Sequence, residues 1–152
     1  MAADVVRADR AHEYPAPAPR QTVLGGWRSP LQAVWVFART FINWSSATLQ
    51  ARFSALAQVS LGQARSLLAL AASQAAHDYE LQRSRVANSG TVEAVAPLPG
   101  SPGHYVVVTR ERTTATGSAD YRGLPPAWHV TLAAVARVFG GLWVVSAWQP
   151  ES

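Results

Sequence analysis

Residues 127–138 read AWHVTLAAVARV, residues 139–141 read FGG, and residues 142–150 read LWVVSAWQP. Two β-rich runs that flank the Gly140-Gly141 pair predict a hairpin, because glycine reaches the left-handed conformations tight turns require. In the first run Trp128, Val130, Leu132 and Ala134 alternate with His129, Thr131 and Ala133, a period of two. In the second run both parities are apolar: Leu142, Val144 and Trp148 on one, Trp143, Val145 and Ala147 on the other. A strand apolar on both faces needs cover on both. The hairpin is therefore expected at the centre of a sheet, with the upstream helices as its cover.

Working outward, the 152 residues suffice for one domain with a real core. Hydrophobic residues make up 49% and charged residues 14%, a globular rather than a disordered composition. The formal charge is +4 and every one of the 13 basic residues is Arg, but the excess is spread along the chain. A nucleic-acid footprint needs a clustered basic face, so no direct nucleic-acid contact is expected. The lack of cysteine excludes disulfides, thiolate zinc sites and Cys nucleophiles. Ala33–Ala38 is the longest run comparable to a membrane span and stops at Arg39, and no signal-like apolar segment follows the first charges. A soluble chain is expected.

Tyr14-Pro15-Ala16-Pro17-Ala18-Pro19 favours an extended conformation, and residues 1–29 are expected to form a flexible Pro-rich tail or tether. Residues 30–150 are expected to form a single α+β domain. Ser29-Pro30 opens the first helix as cap and first residue. Its stripe is Leu31, Val34, Trp35, Ala38, Phe41 and Ile42, and it breaks over Asn43–Ser46. A second helix is predicted over 47–58 with Leu49, Phe53 and Leu56 buried. Ser60-Leu61-Gly62-Gln63 reads as a capping box before a third helix, whose stripe is Leu61, Ala64, Leu68, Ala71 and Ala75. That helix should end within His77–Arg83. Strands are predicted over 86–96, broken by Asn88-Ser89-Gly90, and over 104–113, with a turn at Pro97–Gly103 and a loop at Thr114–Pro126. Three helices packed on a curved four-stranded antiparallel sheet is the expected fold.

This order of elements resembles the nuclear-transport-factor-2-like fold, a cone of helices wrapped by a curved sheet. Within it the chain resembles the extracytoplasmic domain of conjugative-transposon transfer proteins and of type IV secretion bridging scaffolds. The resemblance is carried by Phe37-Ala38-Arg39 through Trp44, Arg52, Asn88–Val92, Tyr105–Glu111, Trp128–Leu132 and Gly141–Pro150. It implies a non-enzymatic protein-interaction scaffold, in a homo-oligomer or with other machine components. It places the domain at the extracytoplasmic face of the cell membrane, with membrane contact only through a partner or an anchor outside this chain. The alternative is a small-molecule binder or isomerase-type enzyme using the cone as a pocket.

For that alternative, His77, Asp78, Tyr105 and His129 are the candidate polar suppliers. Against it, neighbours on a helix point apart, so His77 and Asp78 do not converge by sequence alone. No cofactor or metal site is expected, since no His pair has helix-face spacing and no carboxylate cluster accompanies one. Arg83, Arg85, Arg110 and Arg112 are a candidate patch for an anion or acidic partner; Glu80 and Glu111 nearby make a solvated rim the plainer reading. Trp35, Trp44 and Trp128 are expected in the core, and Trp27, Trp143 and Trp148 toward a partner. The expected interface is the outer face of the terminal hairpin, through Trp143 or Trp148 according to register. On this reading, removing the chain before Ser29 leaves the thermal transition unchanged, and a fall of many degrees shows instead that the tail packs on the domain.

Overall fold

A computed structural model of the chain describes residues 21–116 and 124–151. In order, the elements are α1 (Pro30–Ile42), β1 (Trp44–Ser45), α2 (Leu49–Ala57), α3 (Gly62–Ala76), α4 (Tyr79–Arg83), β2 (Val86–Pro97), β3 (His104–Ala115), β4 (Ala127–Arg137) and β5 (Trp143–Pro150). The strands form one antiparallel sheet in the order β1-β2-β3-β4-β5, strongly curled, with the helices packed on it. The α+β cone is as expected. Among the described residues the strand count is five, because β1 pairs Trp44 with Asn88 and Ser45 with Ala87 in the segment read as a helix break. A short fourth helix, α4, also lies within the expected end of the third.

α1 begins where Ser29 Oγ accepts the Gln32 amide at 3.1 Å and Pro30 opens the first turn. It buries Ala33, Val34, Phe37, Ala38 and Ile42. It ends at Asn43, whose side chain donates to the Arg39 carbonyl at 2.9 Å, meeting one of the orphan acceptors of the last turn. The same side chain then replaces a neighbouring strand. Its Nδ2 donates to Gly90 O at 3.1 Å and its Oδ1 accepts Gly90 N–H at 3.0 Å, closing the sheet edge where β1 stops. A Cβ at Gly90 would lie 2.6 Å from Arg110 O, so only glycine lets α1 and β3 approach here. The interruption expected at Asn88-Ser89-Gly90 is corrected. Those residues pair with β3 without a break, and the bulge falls at Glu93, between Val92 and Ala94.

The terminal hairpin forms as expected, its turn spanning Val138–Leu142 with Gly140 and Gly141 at φ 83° and 73°. It is not central, however: β5 is the last strand of the sheet. Three devices close its free edge. Trp27 and Trp143 exchange backbone hydrogen bonds at 2.9 and 2.7 Å, Leu61 N–H donates to Val145 O at 3.0 Å, and Gln63 clasps Trp148. In that clasp Gln63 Oε1 accepts Trp148 N–H at 2.7 Å and Nε2 donates to Trp148 O at 3.1 Å. The expected capping box is therefore absent, because Gln63 is occupied by β5 and Ser60 Oγ donates back to Leu56 O. Unpaired strand edges template unwanted association, and these contacts remove most of this one.

The core sits between the helices and the concave face. Trp148, 1% exposed, packs against Phe37 at 4.9 Å and Phe41 at 5.5 Å, and Phe41 stacks on Phe53 at 5.3 Å. Leu68, Val107, Ala133 and Val145 belong to the same cluster, with Val34, Leu49 and Leu56 from the helices.

The tail expected over 1–29 is corrected at its C-terminal end. Gln21 accepts from Gly62 N–H, Thr22 O accepts from Arg65, Leu24 N–H donates to Gln58 O, and Trp27 packs on the core. Residues 1–20, with the Pro-rich segment, lie outside the described residues. Two outcomes follow, both read by thermal denaturation with circular dichroism. A chain beginning at Ser29 melts well below the full chain, while one beginning at Gln21 does not. Gly90→Ala costs about 1–3 kcal/mol, the usual range for forcing atoms into filled space.

Candidate interaction surface

Partners directly opposite in an antiparallel sheet share a face, so the register assigns every strand residue to the inside or the outside of the cone. Trp148 points inward and pairs with Ala133. Ala133 and Thr131 are accordingly buried, as are Val107 and Thr109 on β3. The other parity of β4 faces out: Trp128 is 62% exposed and Val130 42%. The alternation read in the sequence is real, but the bulkier, more apolar side lies outside. The cone is filled by aromatic rings from α1, α2 and β5, and β4 can present only short side chains to them.

Beside these side chains, Val108 lies opposite Val130, Val106 opposite Leu132, and Arg110 opposite Trp128. The Arg110 guanidinium lies over the Trp128 ring, 5.8 Å from its centroid. Ala94 and Ala96 continue the apolar surface onto β2. At one end of this face Asn43, Ser89, Gly90, Thr91, Arg110, Arg112 and Pro126 line an open cleft of about 430 Å³.

The interface expected at Trp148 is therefore corrected: the indole is buried and its backbone held, so it is core. Trp143 is half-buried, paired with Trp27 and covered by Arg137 at 5.8 Å. Trp128, expected in the core, is the most exposed tryptophan among the described residues, and Trp35 is also exposed. Trp44 packs against the core as expected. The period of two was the signal for this surface; which side faced out was not in it.

The four basic residues divide. Arg110 and Arg112 meet at the cleft. Arg83 pairs with Glu80 at 3.8 Å, an exposed contact, and Arg85 stands at the entry to β2 with φ 49°. The four candidates for pocket chemistry do not gather. His77 ends α3, exposed, and Asp78 caps α4 by accepting the Leu81 amide at 2.9 Å. Tyr105 packs against the core, opposite Ala133, while His129 is exposed opposite Thr109, four residues along β3. At about 3.3 Å per residue their Cα atoms are roughly 13 Å apart. The three described clefts are lined by none of the four.

A polar cluster not foreseen in the sequence lies on the inner face. Asn88 donates to Ile42 O at 2.7 Å and to Glu111 at 3.0 Å, Thr109 donates to Glu111 at 2.7 Å, and Thr113 donates to Asn88 Oδ1 at 2.8 Å. These bonds turn Glu111 inward and tie the end of α1 to β2 and β3. Among the described residues no three His, Asp or Glu side chains gather as a metal site would need, and no helix is long and apolar enough to cross a membrane.

The fold has a counterpart among solved structures. The chain is similar in fold to the VirB8 protein of Agrobacterium tumefaciens. The TM-score is 0.57 with 13% identical residues, over 80% of this chain and 88% of that one. This likeness bears out the nuclear-transport-factor-2-like cone. No family model and no curated protein matches the chain.

The two opposed tryptophans separate in a stability measurement. Trp148→Ala costs about 3–5 kcal/mol in chemical denaturation, as for a large core side chain. Trp128→Ala stays within about 0.5 kcal/mol of the parent, as for a surface site.

Proposed function

We propose that the chain is a non-enzymatic protein-interaction scaffold of a conjugation or type IV secretion-like machine, and that the outer face of β3 and β4 is its contact surface. The observation that carries this reading is the outward placement of Trp128 and Val130 on a cone whose interior is already filled. A contiguous apolar patch on a folded domain marks a surface that another molecule covers, and tryptophan is among the residues most enriched at binding hot spots. The likeness in fold to VirB8, a type IV secretion component, supports the machine named. By the same resemblance the domain works at the extracytoplasmic face of the cell membrane. Trp128 takes the role expected of Trp143 and Trp148.

The alternative, an isomerase-type enzyme, requires a polar pair inside an enclosed cavity. The separation of Tyr105 from His129 and the capping role of Asp78 give it no support.

The test is chemical crosslinking in producing cells, together with light scattering of the purified chain over a range of concentrations. The full chain is expected to yield a crosslinked protein partner or a concentration-dependent oligomer, and Trp128→Ala to lose it while keeping its thermal transition. A chain monomeric at every concentration and without crosslinked partners contradicts the proposal, as do crosslinks that survive Trp128→Ala unchanged.

A further inference from the structure

We infer that the outer face of β3 and β4 docks a segment of a different protein that carries an acidic side chain next to apolar ones. This rests on the reading of that face as a contact surface and goes further by stating the partner's chemistry. The face is graded along the strands. Arg112 lies opposite Ser89 at one end, Arg110 sits between Thr91 and Trp128 in the next outward row, and the following rows are apolar, with Val108 beside Val130 and Val106 beside Leu132. From Arg112 to Val106 the strand runs six residues, about 20 Å. A segment of that length, about 13 residues if helical, spans the face.

The two ends ask for different side chains. Arg110 and Arg112 line the open cleft with the hydroxyl-bearing Ser89 and Thr91. A guanidinium fork matches a carboxylate. Because Arg110 lies over the Trp128 ring, a carboxylate that reaches it brings the neighbouring residues of its own chain onto the exposed indole and Val130. Acid and apolar group are thus required within about one helical turn of each other.

Among the described residues, no carboxylate of this chain pairs with these two guanidinium groups. The one ion pair within 4 Å among those residues is Arg83 with Glu80, so neither Arg110 nor Arg112 forms such a pair with Glu93, Glu111 or Glu151. Glu93 stands on the outward side of β2 and accepts the Thr91 hydroxyl, Glu111 is held inward by Asn88 and Thr109, and Glu151 follows β5. The chain carries a formal charge of +4. A second copy brings the same excess of positive charge, whereas an acidic segment complements it.

A displayed library of random 12-residue peptides, panned on the full chain and counter-selected on the Arg110→Gln/Arg112→Gln double variant, tests this. The retained peptides are expected to carry Asp or Glu within four positions of an aromatic or aliphatic residue. Their synthetic copies should bind at least about tenfold more weakly to the double variant and to Trp128→Ala, and more weakly in high salt. Circular dichroism melts confirm that each variant is folded. The inference is overturned if no peptide is retained, if retained peptides lack acids, or if they bind the double variant equally well. Complete displacement by millimolar inorganic phosphate would reduce the site to an anion site and overturn it too, as would a Trp128-dependent homodimer that excludes the peptides. Crosslinks in cells lost in Trp128→Ala but kept in the double variant leave the contact surface standing and remove the acidic partner. Crosslinks unchanged in both remove both.

Discussion

The inward seating of Trp148 is the constraint on which the rest of the molecule depends. Its indole meets Phe37 and Phe41 inside the cone, and Gln63 holds both its backbone N–H and its C=O. Side chains alternate along strands, so fixing one residue of β5 fixes the parity of that stretch, and pairing transmits the choice to β4 and β3. Ala133 lies opposite Trp148, Val106 opposite Leu132, and Val108 opposite Val130. Burying one ring thus turns a row of bulkier side chains outward on the neighbouring strands. Aromatic pairs of this kind contribute about 0.5–1.5 kcal/mol each beyond the area they bury, enough to hold one register against a slip.

The sheet edges obey a second constraint. An antiparallel sheet of few strands leaves two rows of backbone groups unpaired. Here side-chain amides stand in for strands: Asn43 at Gly90 on one side and Gln63 at Trp148 on the other. Both lie beside helix ends, so the devices that close the sheet also anchor the helices to it. The bulge at Glu93 and the terminal Pro97 blunt what remains of the β2 edge.

The architecture was legible because it rests on local patterns: the i, i+3, i+4 stripe of α1, the Ser29-Pro30 start and the alternation in β4. What escaped were choices set by distant contacts. Gln63 sits at capping-box spacing from Ser60, and a contact 85 residues away takes it instead. Two-residue β1 is too short to show a period and exists through its pairing with β2. The alternation from Trp128 to Ala134 could not say which side was inside, because that depends on how much of the cone Phe37, Phe41, Phe53 and Trp148 already fill. Of the candidate site, the four-arginine patch was read as one, and only Arg110 and Arg112, two apart on one strand, meet at the cleft, while Arg83 at the end of α4 pairs with Glu80.

The face that results joins two kinds of surface on one pair of strands, guanidinium groups at one end and exposed apolar side chains beside them, around an interior occupied by Phe37, Phe41, Phe53 and Trp148. That combination underlies the contact surface proposed for this face. The most direct measurement of this account is oxidative footprinting of the tryptophans, read by mass spectrometry on the purified chain and on the chain within producing cells. The account predicts that Trp128 is modified in the purified chain and protected in cells, while Trp148 is unmodified in both. Modification of Trp148 in the folded chain, or equal modification of Trp128 in both settings, would contradict it.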